Sequence, residues 1–336
     1  MSRNMNEWKE SALRSRRPLA IPILTHPGIE KIGATVREAL TSGECHFRAI
    51  RALVAMLPTA ATTMIMDLSV EAEAFGAAVA LHDHEVPTVT GRLVTSAEQI
   101  ERLRVPDPLH ARTREPLKAL ELTARHVKDR AVFAGCIGPL SLAGRLYGMT
   151  EIMMDLLEQP DLVHALLEKC TAFLTTYVKA FRERGADGIF MAEPAAGMLS
   201  PAACQEFSSD YIRTIVEAVQ TETFAVMLHN CGNKGVLNAC MASTGAWAYH
   251  LGNCNDIAKS LPEFPANALV LGNIDPAGTM KLGSAAQVRE AVTGLLERTA
   301  SYRNFILSTG CDTPPGVPWE NVQAFFAALQ EYNGRL

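Results

Sequence analysis

The sequence predicts an α/β fold, a single-domain (β/α)8 TIM barrel over residues 19–336 preceded by a short helical arm over residues 1–18. Three observations predict it. Eight short apolar runs alternate with helical stretches, the pattern of parallel strands joined by crossover helices. Residues able to do chemistry gather where those runs stop: Asp67, Glu193, His229, Cys231, His250, Asp275 and Cys311. In a β/α barrel that rim carries the active site. Finally, the 336 residues show no linker-like composition break, no repeat and no low-complexity segment. That length suits a barrel, which typically uses about 250 residues and tolerates insertions.

Each element follows from local signals. Residues 1–18 form a charged, part-helical arm leading into the first strand, Leu19–Leu24, which ends at Thr25-His26-Pro27-Gly28. His26 is either a pocket residue or an ordinary loop histidine. A helix is expected over Glu30–Leu40. The second strand, Thr62–Met66, stops at Asp67, and Ser69 and Gly76 frame a helix as N-cap and stop. A strand-like piece, Ala77–Leu81, runs into His82-Asp83-His84-Glu85, which reads as a solvated turn because alternate side chains diverge and Val86-Pro87 follows. A charged loop with a short helix from Ser96 precedes a helix over Arg114–Lys128. The third strand, Ala131–Cys136, is followed by a small-residue segment through Gly148. Apolar residues Leu166, Cys170, Phe173, Leu174, Tyr177, Val178 and Phe181 fall at helical spacing within Asp161–Arg184, so Cys170 belongs to the core. Strands four to eight are Gly188–Ala192, Phe224–Leu228, Ala246–Tyr249, Ala268–Leu271 and the run ending at Cys311. Ser200-Pro201 opens a helix, and another begins at Glu320.

Composition excludes several classes. An apolar content of 48% supplies a large core, and a net charge of −5 gives no footprint for nucleic acid or an anionic membrane. No apolar run approaches the ~20 residues of a membrane span. Met1 to Arg17 has no apolar stretch of the secretory kind, and the eight cysteines lack a disulfide rhythm. The expectation is a cytoplasmic protein with reduced thiols.

The chemistry centres on His229-Asn230-Cys231-Gly232. Residues i and i+2 of a strand share a side, so His229 and Cys231 can aim at one ion. Cys311, at the end of another apolar run, is the candidate third ligand. Two thiolates and an imidazole with one open position is the pattern of catalytic zinc. Cys254, four residues after His250, is the alternative third ligand. Glu193, His250 and Asp275 are candidates to orient His229 or a substrate through hydrogen bonds. Asp67 either faces the pocket or serves the helix that follows it.

With these residues in view, the chain resembles the uroporphyrinogen decarboxylase superfamily and, within it, the methylcobamide:coenzyme M methyltransferase branch. The resemblance is carried by Met66 to Gly76, His229-Asn230-Cys231-Gly232, Gly272-Asn273-Ile274-Asp275-Pro276, and Gly310-Cys311-Asp312 with Pro314-Pro315-Gly316. It implies that His229, Cys231 and Cys311 hold Zn2+, that a small thiol such as coenzyme M is methylated, and that the methyl group arrives on methylcobalamin or a corrinoid protein. No D-x-H-x-x-G corrinoid-attachment motif occurs here, so the corrinoid comes from outside the chain. Two alternatives stay open: demethylation of a small substrate onto a corrinoid, and a non-catalytic tetrapyrrole-binding barrel. Asp67 matches the decarboxylases' pyrrole-binding aspartate. Their Arg-Gln-Ala-Gly-Arg segment, however, is replaced by Leu24-Thr25-His26-Pro27-Gly28, which argues against porphyrinogen decarboxylation. Lys234, Arg145 and Arg92 are candidates to meet an acid group on the thiol.

Overall fold

The computed structural model describes residues 3–336. Seven strands form one curled sheet in the order β1 (Ala61–Thr63), β4 (Ala131–Ile137), β5 (Gly188–Ala192), β6 (Ala225–Asn230), β7 (Ala248–Leu251), β8 (Leu269–Ile274) and β9 (Phe305–Thr309). All neighbours are parallel. The remaining two strands, β2 (Ala78–Ala80) and β3 (Thr88–Thr90), make a separate antiparallel hairpin. Its turn, His82 to Glu85, is solvated as the sequence predicts. The barrel strands are continuous apolar runs, and all residues of β5, β6, β7 and β9 are buried, as a sheet covered on both faces requires.

The predicted first strand is not a regular one. Leu19–Leu24 nonetheless occupies the eighth position between β9 and β1. Ile21 N donates to Leu307 O at 2.9 Å, Leu307 N to Leu19 O at 3.0 Å, and Ala60 N to Ala20 O at 2.9 Å. Pro22 has no N–H to extend the ladder, and Ile23 N bonds the Thr309 side chain instead. The predicted strand Thr62–Met66 is also shorter, ending at Thr63. Two residues later, the Ile65 N–H turns to His46 Nε2 at 3.0 Å.

Two helix expectations also change. The helix expected over Glu30–Leu40 is two, His26–Lys31 and Val36–Thr41, separated where Gly33 adopts φ +65° and Thr35 starts a new capping box with Glu38. The small-residue segment after β4 is a helix, Pro139–Tyr147. Ser69 does not cap the Val70–Phe75 helix with its side chain, although Gly76 ends it in the left-handed region.

Strand alternation divides the apolar residues. Ala225 and Met227 of β6, Ala248 of β7, Leu269 and Leu271 of β8 and Ile306 of β9 fill the barrel with Phe133, Phe190 and Trp247. Val226, Leu228, Tyr249, Val270 and Leu307 face the helices, including the long Pro160–Glu183 helix with its buried stripe. The Met5–Arg14 helix closes the floor, with Met5 fully buried and Trp8 lying 5.7 Å from Trp247. At the other end the inward positions continue as His229, His250 and Ser308. Fold and alternation alone thus set three polar residues in one layer at the mouth.

Candidate metal centre

His229, Cys231 and Cys311 each place one ligand atom within 4.8 Å of the others. No other such trio of His, Cys, Asp or Glu was found among the described residues. His229 is the fifth residue of β6. Cys231 sits just beyond the strand, in a turn organised by Asn230, whose Oδ1 accepts from Gly232 N and Asn233 N at 2.9 Å while its Nδ2 donates to Glu193 O. Cys311 follows β9 through Gly310, where an added Cβ would stand 2.5 Å from Asn253 N, so only glycine allows the two loops to approach. Gly252 does the same beneath Cys231, where a Cβ would meet Cys231 O at 2.3 Å.

The protons of the histidines can be followed from a fixed end. Ser308 Oγ donates to the Ile21 carbonyl at 2.7 Å and therefore accepts from His250 Nε2, 2.8 Å away. With its hydrogen on Nε2, His250 offers a lone pair at Nδ1, which lies 2.8 Å from His229 Nδ1. His229 accordingly carries its hydrogen on Nδ1, toward His250 Nδ1 and the His250 carbonyl at 3.3 Å. Burial holds His250 well below the ordinary histidine range, keeping it neutral. The result is a bare lone pair on His229 Nε2, buried and without a protein partner. An orphaned buried acceptor costs about 1–3 kcal/mol, and a metal ion beside two thiols relieves it. The hydrogen bond from Cys311 holds Cys231 down at about 4, while the same contact and burial push Cys311 up. A site with one thiolate ready, one thiol to lose its proton and one imidazole lone pair fits a soft divalent ion.

The other candidates separate clearly. His250 touches His229. Glu193 does not reach it with its carboxylate, which accepts from Leu140 N at 3.0 Å, Ser141 N at 2.7 Å and the Ser141 hydroxyl. It caps the Pro139–Tyr147 helix from across the rim, and burial raises it to about 7. Only its backbone meets β6, with Glu193 N donating to His229 O at 2.9 Å. Asp275 accepts from Ala277 N and Gly278 N at 2.9 Å and shapes its own turn. Cys254 is exposed, its thiol directed to Cys231 O at 3.0 Å, and lies outside the ligand trio.

Asp67 lines a cavity of about 880 Å³ at the mouth, together with His26, Arg145, Lys281, Asp312 and Thr313. Its carboxylate is held by Arg112 and by Ser69. Arg112 also grips Glu73, and it is a residue the sequence reading missed, embedded in a charged loop. Of the three basic candidates only Arg145 lines this cavity; Arg92 is paired with Glu151 at 2.9 Å and Lys234 is exposed.

These features define the class: a parallel β/α barrel with soft-ligand side chains converging at the C-terminal rim beside a substrate-sized cavity. The uroporphyrinogen decarboxylase (URO-D) family matches residues 15–332, and the chain belongs to it. The chain is 28% identical over 308 residues to the methylcobamide:CoM methyltransferase MtbA of Methanosarcina mazei, covering 90% of this chain and 89% of that one. It is 30% identical over 246 residues to a uroporphyrinogen decarboxylase of Prochlorococcus marinus, covering 69% and 67% of the two chains. Among solved structures, a methyltransferase from Methanosarcina mazei superposes with a TM-score of 0.87 over 99% of both chains at 23% identity, which establishes the barrel fold.

Proposed function

We propose that this chain is a zinc-dependent methyltransferase that moves a methyl group from a methylated corrinoid, carried by a partner protein, to a small thiol such as coenzyme M. The observation that carries the reading is the convergence of His229, Cys231 and Cys311 on one point, with the His229 Nε2 lone pair bared by the His250–Ser308 hydrogen-bond chain. The naming of MtbA as a methylcobamide:CoM methyltransferase supports it.

Two thiolates and a neutral imidazole cancel the charge of Zn2+, which, when bound, deprotonates an added thiol and leaves its sulfur electron-rich. The protein's part is orientation. The Asn230 turn and the glycine contacts place both cysteines, and His250 fixes the ring of His229. The cavity beside the trio accommodates the thiol's body, with Arg145 in its wall to meet an acid group. The sulfur's electron pair would then form the S–CH3 bond as the corrinoid's cobalt–carbon bond breaks, its electrons staying on cobalt.

Porphyrinogen decarboxylation has no support at the mouth. The Leu24–Gly28 segment brings no arginine, and the Asp67 carboxylate is already engaged by Arg112. The test is Cys311→Ala. We expect about one zinc per chain in the wild type, loss of zinc in the variant, and a fall in coenzyme M methylation from methylcobalamin of at least about 1000-fold. A folded, zinc-free variant that keeps its activity sinks the reading. No helix among the described residues is long and apolar enough to cross a membrane.

A further inference from the structure

The wall of the mouth cavity holds a buried nitrogen that neither the fold nor the metal centre uses. His26 is 3% exposed and lines the cavity at the end of the segment that closes the barrel. Its Nδ1 lies 2.8 Å from the Thr313 carbonyl oxygen, which can only accept, so the ring hydrogen is on Nδ1. Its Nε2 therefore carries a lone pair, shielded from bulk water and without a partner among the described residues. Asp312 Oδ2 stands 3.9 Å from Nδ1, and is itself anchored by Thr25 Oγ1 at 2.6 Å. A neutral imidazole with a free nitrogen on one side and a carbonyl and carboxylate behind it is built to accept a proton and to stabilise the resulting cation. The loop that holds His26 is the one that delivers Cys311, so base and sulfur ligand are set by the same few residues. The other bases around the cavity are less suited: Asp67 is paired with Arg112, Glu30 receives the Gly316 N–H at 2.6 Å, and His84 and Glu85 are exposed to water.

We propose that His26 accepts the proton that the incoming thiol gives up, a role that rests on the zinc-thiol reading above. The substrate S–H bond breaks, its electron pair remains on sulfur, and the proton forms an N–H bond at His26 Nε2. A neutral thiol and a neutral imidazole become a thiolate and an imidazolium, so charge is conserved. The Nδ1 hydrogen stays on the Thr313 carbonyl. The proton passes to water once the methylated product leaves and the cavity refills.

The experiment is histidine nitrogen NMR on the zinc-loaded wild type, titrated with coenzyme M, with His26→Gln used for assignment and kinetics. The expected result is a His26 Nε2 resonance of lone-pair type before addition and an imidazolium afterwards. Calorimetric titrations in two buffers of different ionisation heat should show the variant releasing about one more proton per thiol bound than the wild type. Its kcat/KM should fall about 100-fold with zinc content unchanged. A His26 that stays neutral when the thiol binds, or a zinc-loaded variant with wild-type proton release and rate, overturns the proposal and leaves the zinc reading standing. Zinc-loaded wild type that binds no thiol overturns the zinc-thiol reading and this role with it. Should the variant fail to fold, the wild-type spectrum decides alone.

Discussion

The two ends of the barrel interior are built by the same rule and do opposite things. At the floor, the inward positions of the strands carry Ala225, Ala248 and Leu269, packed with Trp247 against Phe133 and, from the N-terminal helix, Met5 and Trp8. Two steps further along β6 and one along β7, the same inward parity delivers His229 and His250, with Ser308 beside them on β9. The floor is apolar and indifferent to hydrogen direction. In the mouth, every hydrogen in a chain of three residues is determined by one backbone carbonyl. The difference teaches that a barrel separates stability from chemistry along its axis, without needing separate elements for the two.

The sharpest way to break that separation is at the floor. Trp247 is 3% exposed, and its ring centroid lies 5.7 Å from that of Trp8 and 6.4 Å from that of Phe133. Trp247→Ala should cost about 3–5 kcal/mol in urea unfolding, while the protein that remains folded keeps its full zinc content. Zinc loss from folded Trp247→Ala protein would show that the ends are coupled.

The mouth should respond in the reverse manner. Ser308→Ala deletes the group that orients His250, so zinc affinity measured by competition with a chelator should fall roughly ten- to hundredfold. Thermal stability of the metal-free protein should change much less than at the floor. An unchanged affinity would mean that His229 is oriented by its own contacts alone.

A smaller effect comes from a buried carboxyl behind the mouth. Burial pushes Glu71 up to about 8 from an ordinary value near 4.5, with its Oε1 accepting from Ile137 N and its Oε2 unpartnered. Between those values the folded chain holds a proton that the unfolded chain has released. This contribution to stability is complete below about 4.5 and is lost as pH rises through about 8. Glu71→Gln should therefore flatten the decline of unfolding free energy between pH 6 and 8 by about 1 kcal/mol per pH unit. An unaltered slope would place the titration elsewhere. At the small end, Cys254→Ser should leave zinc stoichiometry unchanged, because this exposed thiol lies outside the trio; lost zinc would restore it as a ligand.

The grouping of His229, Cys231 and Cys311 was legible in the sequence because histidine and cysteine are rare and chemically specific, and each stood where an apolar run stopped. The chain of hydrogens behind it was not. Ser308 lies inside the run Phe305–Thr309 and reads as part of a strand; only its inward parity with Ile306 separates it from an ordinary polar strand residue. Glu193 was legible as a rim residue but not as the cap of a helix that follows a different strand, since that contact joins residues 52 positions apart. The helix Pro139–Tyr147 was itself hidden by its proline and Gly144, whose low propensity is overridden by burial of nearly every residue. Arg112 was hidden for another reason: its partner Asp67 lies 45 residues away and nothing local marks the pair.

The carbonyl that anchors the histidine chain belongs to Ile21, and the hydroxyl that donates to it belongs to Ser308, 287 residues later. During synthesis, Ile21 emerges from the ribosome 287 residues ahead of the hydroxyl that donates to its carbonyl. His229 and Cys231 are both translated well before that hydroxyl, yet the ring has no fixed hydrogen until the last strand docks. The candidate trio is therefore complete, with the His229 ring fixed, only after β9 has docked. Closure of the barrel and the fixing of that hydrogen become a single event, completed when the Leu19–Leu24 segment meets β9.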